Sequence, residues 1–359
     1  TLIRKNNIDE RFYWYSSENV LVVTNADDIV TLSPTDWFKR SLDPSTQSWS
    51  WTQLRRINYY LANSHFCSDV AARTKFDAQA RFFRAYFYIE MVKKYGDIMW
   101  YDTVVGSADN DKLYKARDSR LFVADRIFED LDAAIEGLEG VALRDQRTNI
   151  TKWAAMALKA RYSLFEGSFV KYHDMDEDPV RIESGKTSEY YFQICYDACN
   201  ELMQEGKFSL YKTGANPYRD LFFKANCSEV ILSRYFGGGL YQRISNNVKT
   251  KSAGLTQRFI NHYLMADGSR IAASYLDADF FTVFTGRDPR MAATVWGTGK
   301  TDYKGTALDA TNDPFNLSTS TGYFPLKYID EININDSESP IILMRYGEIL
   351  LDYSEAACE

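Results

Sequence analysis

Long apolar runs are missing from this sequence, and no stretch approaches the roughly 18 consecutive apolar residues that a membrane-spanning helix needs. Dense runs of lysine and arginine are missing too. With 42 basic against 49 acidic residues the net charge is −7, so the electrostatic footprint of a nucleic-acid binder is absent and nucleic acid is not an expected partner. Histidine is scarce, and His65, His173 and His262 are scattered. "HFCSD" (65–69) offers one His and one Cys two apart, a fragment of a zinc pattern and no more. The five cysteines, Cys67, Cys195, Cys199, Cys227 and Cys358, are odd in number and lack the spacing of a disulfide scaffold. No HExxH, GxSxG or Ser-His-Asp order is present. Carboxylates are plentiful, yet nothing singles out two at the separation that glycoside hydrolysis requires, so the sequence supplies no positive sign of an enzyme.

What the chain has in excess is aromatic side chains: 25 Tyr, 22 Phe and 7 Trp, 15% of all residues. Many fall in segments of helical periodicity. "WTQLRRINYYLANSHF" (51–66), residues 70–95, "RLFVADRIFEDLDAAIEGL" (120–138), "TKWAAMALKARYSLFEGSF" (151–169) and "SEYYFQICYDACNELMQEG" (188–206) repeat apolar residues every three or four positions. Gly96, Gly137, Gly140 and Gly206 punctuate them. Consecutive pairs, rich in Ala where helices approach and in Tyr and Phe elsewhere, predict a mostly α fold of stacked, tetratricopeptide-like helical hairpins. On a helical wheel residues 76–95 are apolar nearly all round, leaving a narrow stripe of Asp77, Arg81, Arg84, Tyr88 and Tyr95, with Asp77 and Arg81 placed to pair along the surface. A helix of that kind is buried; its aromatics are expected in the core, and Asp77 and Arg81 are expected to serve structure.

From about 207 to 340 the pattern gives way to loops rich in Gly, Asn, Asp and Tyr. The expected organisation is one domain: an N-terminal segment (1–50), helical repeat units (51–206), a loop-rich insertion (207–340) and, from about 340, the start of a further repeat helix (341–359) that runs to the last residue without a stop signal. "FGGGLYQR" (236–243) lacks the lysine of a phosphate loop and reads as a flexible loop presenting Tyr241. "HDMDEDP" (173–179) alternates Asp174, Asp176 and Asp178 like the start of a calcium loop, but Pro179 and Gly185 occupy positions that exclude an EF-hand. A solvated acidic turn and a looser calcium site remain as alternatives. The polar, turn-rich stretch 25–51 carries Trp37, Trp49 and Trp51. Trp51 opens the helical periodicity and belongs to the core. Trp37 and Trp49 lie in the loop itself, either as plugs beneath it or as flat platforms on which sugar C–H faces stack while Asn, Asp and Arg bond the hydroxyls.

Several stretches together resemble one family, the SusD-like (RagB/SusD) outer-membrane glycan-binding lipoproteins. Its hallmark helix is matched by "AQARFFRAYFYIEMVKKYGDI" through Ala78, Ala80, Arg81, Phe82, Arg84, Ala85, Tyr88, Val92, Tyr95, Gly96 and Asp97. "RIFEDLDAAIEGL", "TKWAAMALKARYSLFEG", "HYLMADGSRI", "RDPRMAATV" and "MRYGEILLDYSEAACE" resemble further elements of the family in the family's order, covering residues 51–359. The lipoprotein Cys after a signal peptide, and the continuation beyond the last helix, are not in this sequence, which reads as a fragment of a longer chain.

The resemblance implies a lipid-tethered protein on the outer face of the outer membrane that captures oligosaccharide and delivers it to a SusC-like TonB-dependent transporter. It implies no catalysis and no obligatory cofactor, though some relatives hold calcium, and it implies membrane contact only through the lipid. By position Trp37 or Trp49 would be the first aromatic of a glycan site, with Tyr241 and Trp296 joining from the insertion. An α/α-barrel glycoside hydrolase and a peptide-binding repeat scaffold are the competing readings; reducing-sugar release would mark the first, and indifference to Trp37 and Trp49 the second.

Overall fold

A computed structural model describes residues 29–30, 50–173, 175, 177–214, 216–242, 244, 254–275, 278–280, 282–296, 321–329 and 337–359. The chain divides into two compact units. The helical unit comprises 48–210, 228–233 and 343–359. The other comprises 1–47, 211–227 and 234–342.

Helices α1 (Thr52–Asn63), α2 (Val70–Tyr95), α3 (Arg120–Gly137), α4 (Lys152–Tyr172) and α5 (Ser188–Gln204) follow the predicted periodic segments. Side-chain caps set their starts: Asp69 accepts from Ala72 N, Ser119 from Leu121 N and Thr151 from Ala154 N. α2 stops at Gly96, whose φ of 71° lies in the region open to glycine, and its N–H returns to Val92 O. Each helix packs on the next, and α5 packs on a last helix, α6 (Tyr346–Cys358). Small residues permit the closest approaches. A Cβ on Gly137 would stand 2.7 Å from Ala78 Cβ, and one on Gly167 would stand 2.8 Å from the Phe192 ring. Ala154, Ala155 and Ala160 of α4 are wholly buried.

The chain leaves and re-enters this unit through two strands, β2 (Val230–Arg234) and β4 (Ile341–Arg345), which pair with each other. The expectation of helix from about 340 is therefore corrected: the apolar run Ile341–Met344 is extended, and α6 starts at Tyr346, whose N–H donates to Glu229 O at 2.8 Å.

In the second unit β1 (Ile29–Val30) pairs antiparallel with β3 (Gly254–Leu255). Around it α7 (Gln257–His262) and α8 (Pro289–Thr294) enclose a small core of Leu255, Ile260, Val283, Met291, Val295 and Tyr323. Two of the family-like motifs clasp each other here. Ala266 N donates to Gly286 O and Asp288 N to Leu264 O, while buried Arg287 donates to the carbonyls of Ile260, Tyr263 and Val283. Two of these carbonyls, of Ile260 and Tyr263, lie at the end of α7, where helix carbonyls run short of intrahelical donors.

Candidate functional site

Three surfaces compete for the role of binding site, and the first is the hallmark helix α2. Its aromatics are core: Phe82, Phe83, Tyr86 and Tyr88 are all buried. Phe76, placed on an apolar side by the helical wheel, is half exposed instead. The polar stripe is also more buried than its spacing suggests. Arg84 grips Asp130 of α3 with Nε–Oδ2 at 2.6 Å and Nη2–Oδ1 at 2.7 Å, and Arg81 reaches the same carboxylate at 2.9 Å. The expected Asp77–Arg81 pair is thus corrected: Arg81 serves Asp130, and Asp77 accepts from Ser64 Oγ at 3.1 Å. Sequence spacing favours i,i+4 partners, but a carboxylate 2% exposed on the facing helix has more to gain from a second cation. The Tyr88 hydroxyl accepts from Tyr101 N at 2.6 Å, and burial pushes its pKa far up. Arg81, Arg84 and Asp130 help wall a cleft of about 460 Å³, but these innermost charges are spent on one another. Gly96 ends the helix and Asp97 accepts from Arg120 N at 2.9 Å, so both act as joints.

A second surface surrounds Asp178, the one aspartate of the 173–179 stretch that lies within the described residues. It caps a short helix, accepting from Val180 N at 2.9 Å and Arg181 N at 3.3 Å, and takes Ser119 Oγ at 2.6 Å. Beside it Arg120 forms a bidentate pair with Glu166 at 2.7 and 2.8 Å and lies over the Phe169 ring. Burial pushes the Glu166 carboxyl up. Asp174 and Asp176 lie outside the described residues, and among the described residues no group of three His, Cys, Asp or Glu could hold a metal ion.

The third surface is the glycine hairpin. Gly237 and Leu240 exchange both backbone hydrogen bonds, at 2.9 and 3.2 Å, across Gly238 and Gly239. Both central residues have positive φ, 60° and 86°, as a two-residue hairpin turn with its strand-matched twist demands. The expected flexible loop is a tight turn with defined hydrogen bonds. A Cβ at Gly237 would stand 2.3 Å from the Tyr235 hydroxyl, so the phenol lies over bare backbone. Buried Phe236 anchors one arm, and Gln242, whose N–H donates to Ser337 O at 2.8 Å, anchors the other. Tyr235, Leu240 and Tyr241 are left at the surface, 46%, 44% and 42% exposed.

Of the four aromatics expected to hold glycan, Tyr241 alone is a described, exposed residue. Trp296 is wholly buried, its ring centroid 4.6 Å from that of Phe324 and its backbone N–H donating to Phe324 O at 3.0 Å. It packs a core and offers no face to a ligand, which corrects its assignment. Trp37 and Trp49 lie outside the described residues. Tyr235 and Leu240 were missed; the signal was the Gly-Gly pair itself, which implies a turn that throws its flanks outward.

Comparison with known proteins bears on these surfaces. Residues 229–359 match the sequence model of the SusD family. Over those residues the chain is similar to the SusD family. A SusD-like protein of Bacteroides fragilis is 24% identical, with a TM-score of 0.66 over 84% of this chain and 61% of its own. A SusD-like carbohydrate-binding protein of the same species gives a TM-score of 0.73 at 16% identity over 96% of this chain and 68% of its own. A laminarin-binding SusD-like protein gives 0.63 at 17% identity over 97% and 77%. The chain thus spans about three fifths to three quarters of the length of these structures. No curated protein matches it. The fold is therefore the mostly helical, tetratricopeptide-like one, and among the described residues no helix is long and apolar enough to cross a membrane.

Proposed function

We propose that this SusD-like protein binds oligosaccharide or polysaccharide without turning it over, at the cell surface, and delivers it to a SusC-like TonB-dependent transporter. The observation that carries the reading is the hairpin: two phenols and a leucine held outward on a turn whose geometry is set by glycine. Apolar ring faces stack on sugar C–H groups, while the phenol hydroxyls donate and accept. Relatives in fold support it. One is a laminarin-binding protein, and another, with a TM-score of 0.57 at 18% identity, was solved with a xylogluco-oligosaccharide. Trp37 and Trp49 stand as further aromatics of the site, and a lipid anchor would hold the protein at the outer membrane.

The three most deeply buried carboxylates among the described residues are not placed for hydrolysis. Asp130, Glu166 and Glu229 are each tied to an arginine, which leaves them unsuited to deliver a proton to a glycosidic oxygen. A glycan array probed with the intact chain, run beside a reducing-sugar assay on every glycan retained, tests the reading. Retention without sugar release is expected; release would return the hydrolase reading, and retention of nothing would remove the glycan reading.

A further inference from the structure

The first helical hairpin carries a surface that neither glycan binding nor the scaffold uses. Between α1 and α2 the chain turns through a short 3-10 segment, Ser64–Phe66, and residues 65 to 71 are all exposed. At the tip Phe66 is 78% exposed and Val70 60%, with the His65 ring against Phe66 at 4.1 Å. Behind the tip, Tyr59 and Tyr60 lie exposed on α1, and Val70, Arg73 and Phe76 follow one another at three-residue steps along α2. Lys75 holds its ammonium 5.8 Å from the Phe76 ring.

The charge here runs against that of the whole chain. Residues 51–76 contain Arg55, Arg56, Arg73 and Lys75 against Asp69 alone, a net of +3 in a protein of −7. Asp69 is committed to capping α2, and the next carboxylate, Asp77, to Ser64.

We propose that this corner docks on an anionic lipid surface, Phe66 and Val70 entering the headgroup layer with Tyr59, Tyr60, Phe76, Arg73 and Lys75 at its level. The order of residues is that of an interfacial contact: an apolar point, an aromatic belt behind it, and cations placed to meet lipid phosphate. The corner's outline favours lipid over the alternatives. A sugar is held in a concavity or on a flat ring, and a folded partner would need a socket matched to a protruding turn, whereas a fluid headgroup layer yields to one. The contact is independent of the glycan reading and would act beside any lipid anchor, since one weak membrane signal is strengthened by a second.

Co-sedimentation of the 359-residue chain with vesicles of mixed phosphatidylcholine and phosphatidylglycerol, and with vesicles of phosphatidylcholine alone, tests it. Binding to the mixed vesicles that weakens with salt is expected. Phe66→Ser should lower it about tenfold, and Arg73→Gln with Lys75→Gln about fivefold per charge removed; both sites are at the surface, and circular dichroism should show the fold intact. Equal binding to both vesicle types, or none, overturns the proposal. So does binding that Phe66→Ser leaves unchanged. Tighter capture by soluble polygalacturonate than by the mixed vesicles would assign the corner to an acidic polymer and overturn it as well.

Discussion

The two units spend their aromatic residues in opposite ways. In the helical unit, Phe82, Tyr88, Tyr162 and Tyr191 fill the space between helices, and the charged residues beside them are locked in pairs across helix boundaries. In the other unit a small core takes Trp296, Phe324 and Tyr323, while Tyr235 and Tyr241 are held out on a turn. The first arrangement resists change at every position. The second concentrates its structural demands on a few glycines and leaves part of each phenol exposed to meet a ligand.

The largest effect should come from breaking a lock in the helical unit. Arg84→Ala leaves Asp130 buried with only the half-exposed Arg81 to answer it, and should cost about 3–5 kcal/mol by denaturant titration; a loss below 1 kcal/mol would show that the pair is not structural. Gly137→Ala forces a methyl toward Ala78 and the Thr74 carbonyl, and should cost about 1–3 kcal/mol, read as a fall in Tm.

Asp352 of α6 offers a change of opposite sign. Burial, reinforced by Glu348 and opposed by Arg161, raises its pKa to about 7. The folded state therefore holds a proton there that the unfolded chain has released, and this contribution to stability is present at low pH and lost as pH rises toward 7. Asp352→Asn should stabilise the protein by about 1–3 kcal/mol at pH 8 and change little at pH 4. Equal effects at both pH values would contradict the assignment. Smaller still, Gly239→Ala should cost about 1–2 kcal/mol, the strain of a positive φ on an L-residue, and weaken glycan binding by displacing Tyr241.

The helical unit was largely legible in the sequence because its periodicity and caps are local: Asp69, Ser119 and Thr151 mark starts within a residue of where the helices begin. The partners of its charges were not. Arg84 and Asp130 are 46 positions apart, and no spacing rule connects them. In the other unit even burial was hidden. Trp296 is covered by Phe324, and Leu255 N bonds Tyr323 O, pairings made across segments that carry no repeat. Tyr241 was legible as exposed because the adjacent glycines force a turn wherever they occur. Strand β4 was misread as helix because an unbroken apolar run fits either state.

The central claim is that binding belongs to the hairpin and stability to the helices. A glycan titration of the Tyr235→Ala, Tyr241→Ala double variant, on whichever polysaccharide the array retains and beside Arg81→Ala, tests it most directly. The account predicts an affinity loss of about five- to a hundred-fold for the hairpin variant with its Tm unchanged, and for Arg81→Ala a lower Tm with affinity unchanged. An undiminished affinity in the hairpin variant, or a loss of binding in Arg81→Ala at full stability, would contradict it.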